Sequence, residues 1–320
     1  MAIIGQDIQR AKHLLEKGEL VAIPTETVYG LAGNALEANV VTKIFVAKDR
    51  PLFDPLIVHI GSLAAAEYYV GEIPLQANEL ANHFWPGSLT LLLTKKEIIP
   101  DLVTAGLDRV GLRCPDHPLT KNLLEQLSFP LAAPSANPFG YVSPTTAQHV
   151  QDQLGDKVAY ILDGGPCRVG IESTIIGWEA GQPTIYRLGG ISEEQIESVI
   201  GSIRVNSYST SQPQSPGQLK THYAPAKKFL LGDIQILAAK YSPLRLGILS
   251  FQKEVEGKFH ANLVLSPSGD LNEAARNLFS MMRKFDEMNI DLILAEEVPD
   301  EGLGRAINDR LRRAAAGNRE

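Results

Sequence analysis

Ile23-Pro24-Thr25-Glu26-Thr27-Val28-Tyr29-Gly30-Leu31, read with Lys48-Asp49-Arg50-Pro51 just after it, decides how this chain folds. The apolar run Leu20-Val21-Ala22-Ile23 has strand character and ends at Pro24. The polar residues beyond it are therefore expected at a strand's carboxyl end, where open α/β sheets bind ligands. Thr25, Glu26, Thr27 and Tyr29 place three hydroxyls and one carboxylate within five positions. That density suits orienting a small polar ligand better than filling a core. Lys48 and Arg50 then add two cations.

Upstream, Ile8, Ala11, Leu14 and Leu15 recur at helical spacing before Gly18, which predicts an amphipathic helix with a glycine stop. Downstream, a helix at about Ala38 to Ala47 delivers Lys48 and Arg50 at its carboxyl end. Leu56 to Ile60 reads as a strand, two helical patterns run to His83, and Leu89 to Leu93 returns as a strand. Short strands are expected at Val110 to Arg113, Leu131 to Ala133, Ala159 to Leu162, Thr174 to Ile176 and Thr184 to Leu188. Helices fall at about Leu119 to Leu127, Thr145 to Leu154 and Glu193 to Ile200, the last opened by a capping box at Ser192-Glu193-Glu194-Gln195. The pattern is α/β with a large mixed sheet.

The stretch from Ser207 to Gly217 is polar, proline-punctuated and aperiodic, and reads as a linker. Beyond Pro225, strands at Phe229 to Leu231, Leu246 to Ser250, Leu263 to Leu265 and Leu292 to Leu294 alternate with helices. Leu271, Ala275, Leu278, Met282 and Phe285 keep to one helix face. A terminal basic helix carries Arg305, Arg310, Arg312 and Arg313, and a charge run of that kind is expected to be a solvated face.

A chain of 320 residues fits two domains, taking roughly 100–200 residues for each. Lys and Arg total 30 against 37 Asp and Glu, a formal charge of −7, which argues against a protein that mainly coats nucleic-acid phosphates. Two cysteines, Cys114 and Cys167, are too few for a disulfide framework or a cysteine-rich zinc site, and are expected to be small buried apolar residues in a reducing compartment. The amino terminus lacks the regions of a secretory signal, and no apolar run approaches the ~20 residues of a membrane helix. The expectation is a soluble, cytoplasmic protein.

Lys48 and Arg50 suit phosphate binding through charge-assisted hydrogen bonds, although cations at a helix end also serve as partners of its dipole. Leu131-Ala132-Ala133-Pro134-Ser135-Ala136-Asn137-Pro138 is a strand followed by small and polar residues. There a backbone can approach a ligand while Ser135 and Asn137 donate, or the segment is simply a Ser/Asn turn. Ser143-Pro144 reads as an N-cap with proline at the first helical position, itself compatible with an anion site. Gly164-Gly165-Pro166 and Gly170 to Ile175 form a glycine-hinged loop feeding a strand. The standard nucleotide motifs and a Gly-x-Ser-x-Gly elbow are absent. The seven histidines show no metal-ligand spacing, and His59, between Val58 and Ile60, reads as a satisfied core or rim histidine.

Taken in series, Pro24 to Leu31, Lys48-Asp49-Arg50-Pro51, Pro55-Leu56-Ile57-Val58-His59, Phe84-Trp85-Pro86-Gly87, Ala133-Pro134-Ser135-Ala136-Asn137 and Glu172-Ser173-Thr174-Ile175 resemble the threonylcarbamoyl-AMP synthase family. Ser215-Pro216-Gly217 with His222-Tyr223-Ala224-Pro225 resembles the linker of its two-domain form. The resemblance implies a YrdC-like catalytic domain with a large twisted mixed sheet and flanking helices over residues 1–203. A linker and lid would follow over 204–225, and a smaller Rossmann-like α/β domain over 226–320. It implies synthesis of L-threonylcarbamoyl-AMP from L-threonine, bicarbonate and ATP with release of pyrophosphate, for threonylcarbamoyladenosine next to the tRNA anticodon.

By the same resemblance Lys48 and Arg50 are the catalytic cations on the ATP phosphates. Asp54, Ser135, Asn137, Ser143, Arg187 and Tyr223 complete the ATP side, with Tyr223 closing over the nucleotide. Thr27, His59, Arg113, Ala133 and Ser173 take threonine, Arg113 being suited to its carboxylate. Mg²⁺ is implied on the ATP, with no side-chain metal ligand. The implied partners are small-molecule substrates and downstream tRNA threonylcarbamoyl-transfer machinery, with weak direct tRNA binding and no membrane. Two positions depart from the family pattern: Asp54, where asparagine is common, and Gln218-Leu219-Lys220-Thr221, where methionine with basic and aromatic residues is usual. Two rival readings are a non-enzymatic RNA-binding module and a carbamoyl-transfer maturation factor, the latter requiring cysteine-rich zinc segments that this sequence lacks.

Overall fold

A computed structural model gives the fold and describes residues 1–206, 215–216 and 222–317. The chain divides into two compact units. The first comprises Met1–Phe139, Pro144–Arg168 and the described part of Glu172–Leu219; the second comprises Gly140–Ser143, Val169–Ile171 and the described part of Lys220–Glu320. Most of the stretch read as linker and lid, 207–214 and 217–221, lies outside the described residues.

In the first unit the strands are β1 (Ile3–Gly5), β2 (Val21–Ile23), β3 (Gly30–Asn34), β4 (Ile57–His59), β5 (Leu89–Thr94), β6 (Arg109–Arg113), β7 (Leu131–Ala132), β8 (Tyr160–Leu162), β9 (Thr174–Glu179), β10 (Gln182–Arg187) and β11 (Arg204–Val205). Among the described residues they form one mixed sheet in the order β1-β8-β2-β3-β7-β4-β6-β5-β9-β10-β11. The deciding stretch is the connection between β2 and β3, which pair antiparallel with Ile23 opposite Gly30. β4 and β6 run parallel with His59 beside Arg113, while β5 and β9 start side by side, Leu89 opposite Thr174.

β3 was not foreseen, because Gly30-Leu31-Ala32-Gly33-Asn34 lacks the β-branched residues that mark a strand. Its glycine serves packing: a Cβ on Gly33 would meet Val40 Cγ1 at 2.7 Å and Leu20 Cδ2 at 3.1 Å. The helix Ala38–Lys48 therefore lies close against the sheet, burying Val40, Val41, Ile44 and Phe45. The two-to-three-residue strands β1 and β11 were also unforeseen. The expected cap at Ser143 is corrected: the helix spans Ala147–Leu154 and Thr146 caps it, accepting from His149 N. The capping box at Ser192 and Gln195 is present.

The second unit holds a parallel sheet of β12 (Lys228–Leu231), β13 (Leu246–Ser250), β14 (Ala261–Val264) and β15 (Leu292–Ala295), ordered β12-β15-β13-β14. The helix Leu271–Glu287 buries Ala275, Leu278, Met282 and Phe285 along one face. The terminal helix Gly304–Ala316 corrects the expectation of a solvated basic face, since Arg310 and Arg313 are 0% and 2% exposed. Both are paired within the helix, Arg313 Nε to Asp309 at 2.9 and 3.0 Å and Arg310 Nη1 to Asp309 at 3.3 Å. Sequence spacing alone does not separate a buried, paired arginine from a hydrated one. Among the described residues no helix is long and apolar enough to cross a membrane. Cys114 and Cys167 are free and buried, as expected.

Candidate active site

Arg113 ends β6, and its guanidinium is held along one edge. Nη2 donates to Glu26 Oε1 at 2.7 Å and to Thr27 Oγ1 at 2.8 Å, and Nε donates to the Gly87 carbonyl at 3.4 Å. Among the described residues nothing accepts from Nη1, so two N–H donors of a buried arginine remain for a ligand. Glu26 is held at both oxygens: Oε1 also accepts from Ser88 Oγ at 3.2 Å, and Oε2 accepts from Asp116 N at 3.0 Å. Thr27 Oγ1 shares a 2.8 Å hydrogen bond with Thr25 Oγ1, which donates to the Val28 carbonyl and fixes the loop. Tyr29 turns away, donating to the Gly165 carbonyl at 2.9 Å.

His59, beside Arg113 on the neighbouring strand, is buried, and its Nδ1 has no hydrogen-bond partner among the described residues. That corrects the expectation of a satisfied histidine. Burial, reinforced by the Arg113 charge, pushes its pKa down to about 3, so the ring is neutral at ordinary pH and can accept from a ligand.

A polar bridge runs from here across the starts of β5 and β9. Ser173 Oγ shares a 2.7 Å hydrogen bond with Thr90 Oγ1. Arg187, ending β10, donates from Nη2 to Ser173 Oγ at 2.9 Å and from Nε to the Ser173 carbonyl at 3.0 Å. Arg187 is also close enough to Asp54 to favour that carboxylate's charged form. The residues expected at threonine and those expected at ATP therefore belong to one connected set.

Lys48 is the last residue of its helix and is followed by Asp49 in the left-handed region, φ 52°. Its Nζ donates to the carbonyls of Ser135 and Asn137, and its own carbonyl accepts from Phe139 N at 2.8 Å. The loop 133–137 is tied to the deciding stretch in turn, by Leu31 N to Pro134 O at 2.7 Å and Ala136 N to Tyr29 O at 2.8 Å. Ala133 is anchored by its N–H to the Ile57 carbonyl at 3.0 Å. Lys48 is 1% exposed. Burial, with Arg50 beside it, holds its ammonium well below the usual lysine range, and Asp54 only partly offsets this. A helix-dipole partner in water would feel neither.

Arg50 donates to the carbonyls of Asp54 and Pro55 at 3.1 and 2.8 Å and lies over the Phe139 ring at 5.9 Å. Asp54 Oδ2 sits 2.9 Å from Arg50 Nη2, but the approach lacks hydrogen-bond geometry. Neither carboxylate oxygen has a hydrogen-bond partner among the described residues. Burial raises the pKa of Asp54 against the pull of Arg50, Lys48 and Arg187. Of the remaining expected residues, Ser143 and Tyr223 belong to the second unit. The Ser143 carbonyl accepts from Arg283 there, and Tyr223 is buried, stacked on Phe279 at 5.5 Å with Arg310 over its ring at 5.3 Å. Tyr223 holds a φ of 65°. Sequence reasoning counted Glu26 only within a ligand-orienting cluster, not as a partner of Arg113, and named no role for Thr90. A threonine inside the apolar run Leu89-Thr90-Leu91 was the available signal for the second.

A family model described as telomere recombination matches residues 13–189, and one described as threonylcarbamoyl-AMP synthase, C-terminal domain, matches residues 191–316. A threonylcarbamoyl-AMP synthase of Bacillus subtilis is 43% identical over 97% of this chain and 93% of its own length. The chain belongs to the threonylcarbamoyl-AMP synthase family. Its relative of that name from Pyrococcus abyssi is 41% identical over 96% of this chain and 94% of its own. A crystal structure titled as P. abyssi Sua5 complexed with L-threonine matches with a TM-score of 0.91 at 40% identity, covering 99% of this chain and 98% of that one. The α/β architecture with its large mixed sheet is thus the architecture of this family.

Proposed function

We infer that this chain is an L-threonylcarbamoyladenylate synthase, forming L-threonylcarbamoyl-AMP and pyrophosphate from L-threonine, bicarbonate and ATP. The observation that supports the site assignment is a set of buried polar groups short of hydrogen bonds among the described residues: the Asp54 carboxylate, His59 Nδ1 and the open Nη1 of Arg113. Buried polar groups are normally paired, so these await a charged ligand.

In this reading Lys48, Arg50 and Arg187 take the triphosphate, with Ser135 and Asn137 on the nucleotide side. Arg113 and Thr27 take the threonine carboxylate, and His59, Ala133 and Ser173 enclose the rest of the amino acid. The threonine amine attacks bicarbonate, giving a carbamate and water. A carbamate oxygen then attacks the α-phosphorus and pyrophosphate leaves. No protein nucleophile is needed; the side chains align the reactants and neutralise charge. Mg²⁺ would enter on the triphosphate's own oxygens with no side-chain ligand assigned, since the Asp54 carboxylate already lies 2.9 Å from Arg50 Nη2. Bound there, it would offset charge on the phosphates. We assign the reacting pocket to residues 1–203 and a linker role to 204–225. The setting is the cytoplasm, where the product passes to machinery that modifies tRNA.

The test is pyrophosphate release from ATP. It is expected only when threonine and bicarbonate are both present; release indifferent to either rejects the synthase reading.

A further inference from the structure

The reaction scheme gives Glu26 no part, yet Glu26 is built more firmly than any group assigned to substrate. It is 3% exposed, it forms a buried ion pair with Arg113, and both oxygens are engaged, Oε1 by Arg113 and Ser88 and Oε2 by the Asp116 amide. Three of a carboxylate's roughly four acceptor sites are thus spent inside the protein, one of them on Arg113. Its effect on a ligand passes through that arginine.

Glu26 Oε1 and Thr27 Oγ1 take both hydrogens of Nη2, and Gly87 O takes the Nε–H. A guanidinium is planar, so fixing that edge fixes the direction of the two Nη1 hydrogens as well. The anchors of Glu26 come from two further elements: Ser88 precedes β5, and Asp116 follows β6. The fork is thereby set from three sides before any ligand arrives.

We propose that Glu26 is a positioning and specificity-determining residue: by clamping one edge of Arg113 it leaves Nη1 as a preset receptor for a ligand's α-carboxylate, and so makes the site prefer an amino acid to its uncharged derivatives. The inference rests on Arg113 receiving the threonine carboxylate. Glu26→Gln keeps the volume but turns an amide N–H toward either Nη2 or the Asp116 amide, so one donor faces another and the clamp is broken. Bulk packing is untouched, and the consequence falls on recognition of charge.

The experiment is calorimetric binding of L-threonine, L-threoninamide and ATP to the full chain. Threoninamide lacks the carboxylate but keeps the amine and hydroxyl. Glu26→Gln is expected to weaken L-threonine at least ~10-fold while threoninamide and ATP change less than ~3-fold, collapsing the preference for the acid. Glu26→Asp, which retains the charge on a shorter arm, should recover part of that preference. Equal weakening of acid and amide, or no weakening of either, overturns the proposal. Arg113→Ala separates the two layers. If it leaves L-threonine binding intact, the carboxylate assignment itself is wrong and the proposal goes with it. If it abolishes the acid–amide preference while Glu26→Gln retains it, only the clamp is wrong. Should Glu26→Gln not fold, Ser88→Ala removes one anchor of the same oxygen and is expected to shift the ratio in the same direction by ~3-fold; an unchanged ratio counts against the clamp.

Discussion

Both units bury charge, but they treat it differently. In the second unit Arg313 meets both oxygens of Asp309 at 3.0 and 2.9 Å, and Asn308 exchanges two 2.9 Å hydrogen bonds with the backbone of Val298. In the first unit the Asp54 carboxylate and His59 Nδ1 have no hydrogen-bond partner among the described residues, and burial depresses Lys48 below its ordinary range. A buried ion that is fully paired holds structure together; one left short of partners costs stability and is retained where a ligand completes it. The second unit's arginines are architecture. The first unit's cations are those we propose to bind substrate.

The comparison breaks most visibly at two single substitutions. Lys48→Ala should lower turnover roughly 100- to 1000-fold, as removal of a charge-stabilising donor does, with the melting temperature unchanged or raised, since a desolvated ammonium is removed. Arg313→Ala should do the reverse, costing roughly 2–4 kcal/mol of stability because buried Asp309 then keeps only the longer 3.3 Å contact with Arg310. Steady-state pyrophosphate release and thermal melting of both variants check this; swapped outcomes would dissolve the contrast.

Within the first unit, Arg113→Ala should raise the KM for threonine ~10- to 100-fold and that for ATP by less than ~3-fold. Equal effects on both substrates would deny a carboxylate role. His59 then offers a pH test. Its folded pKa of about 3 lies below the unfolded 6.5, so between those values the unfolded chain binds the extra proton and stability falls as the pH falls. From pH 6.5 to about pH 5 this amounts to ~2 kcal/mol, and His59→Gln should flatten that part of the urea-unfolding profile. Asp54 has the opposite sign, because a raised carboxyl binds its proton more tightly when folded and loses stability as the pH rises above its ordinary 3.8. Asp54→Asn should therefore gain stability at neutral pH, read from urea unfolding. A loss there would mean that the carboxylate is already paid for by the cations around it.

The same contrast marks what the sequence could reveal. Strands such as Ile57-Val58-His59 and Leu89 to Thr94 were legible because β-branched and leucine runs match a buried strand. β3 was not, since Gly33 is there to admit Val40 and Ile44 rather than to favour extension. The phosphate-type and threonine-type residues were legible as a collinear series, each carrying its chemistry in its side-chain type. Whether a charge is paired is a property of distant residues: Glu26 reaches Arg113 and Asp116 across about ninety positions, and Asp309 sits among the very arginines that looked solvated. Spacing along the chain records neither.

The account's central claim is that the unsatisfied charges of the first unit are completed by substrate. A crystal structure with ATP and L-threonine bound tests it most directly. The account predicts phosphate oxygens within ~3 Å of Lys48 Nζ and the Arg50 guanidinium, and the threonine carboxylate on Arg113 Nη1 beside Thr27. Substrates bound elsewhere, with Lys48 still turned only to the carbonyls of Ser135 and Asn137 and Arg113 Nη1 still open, would contradict it.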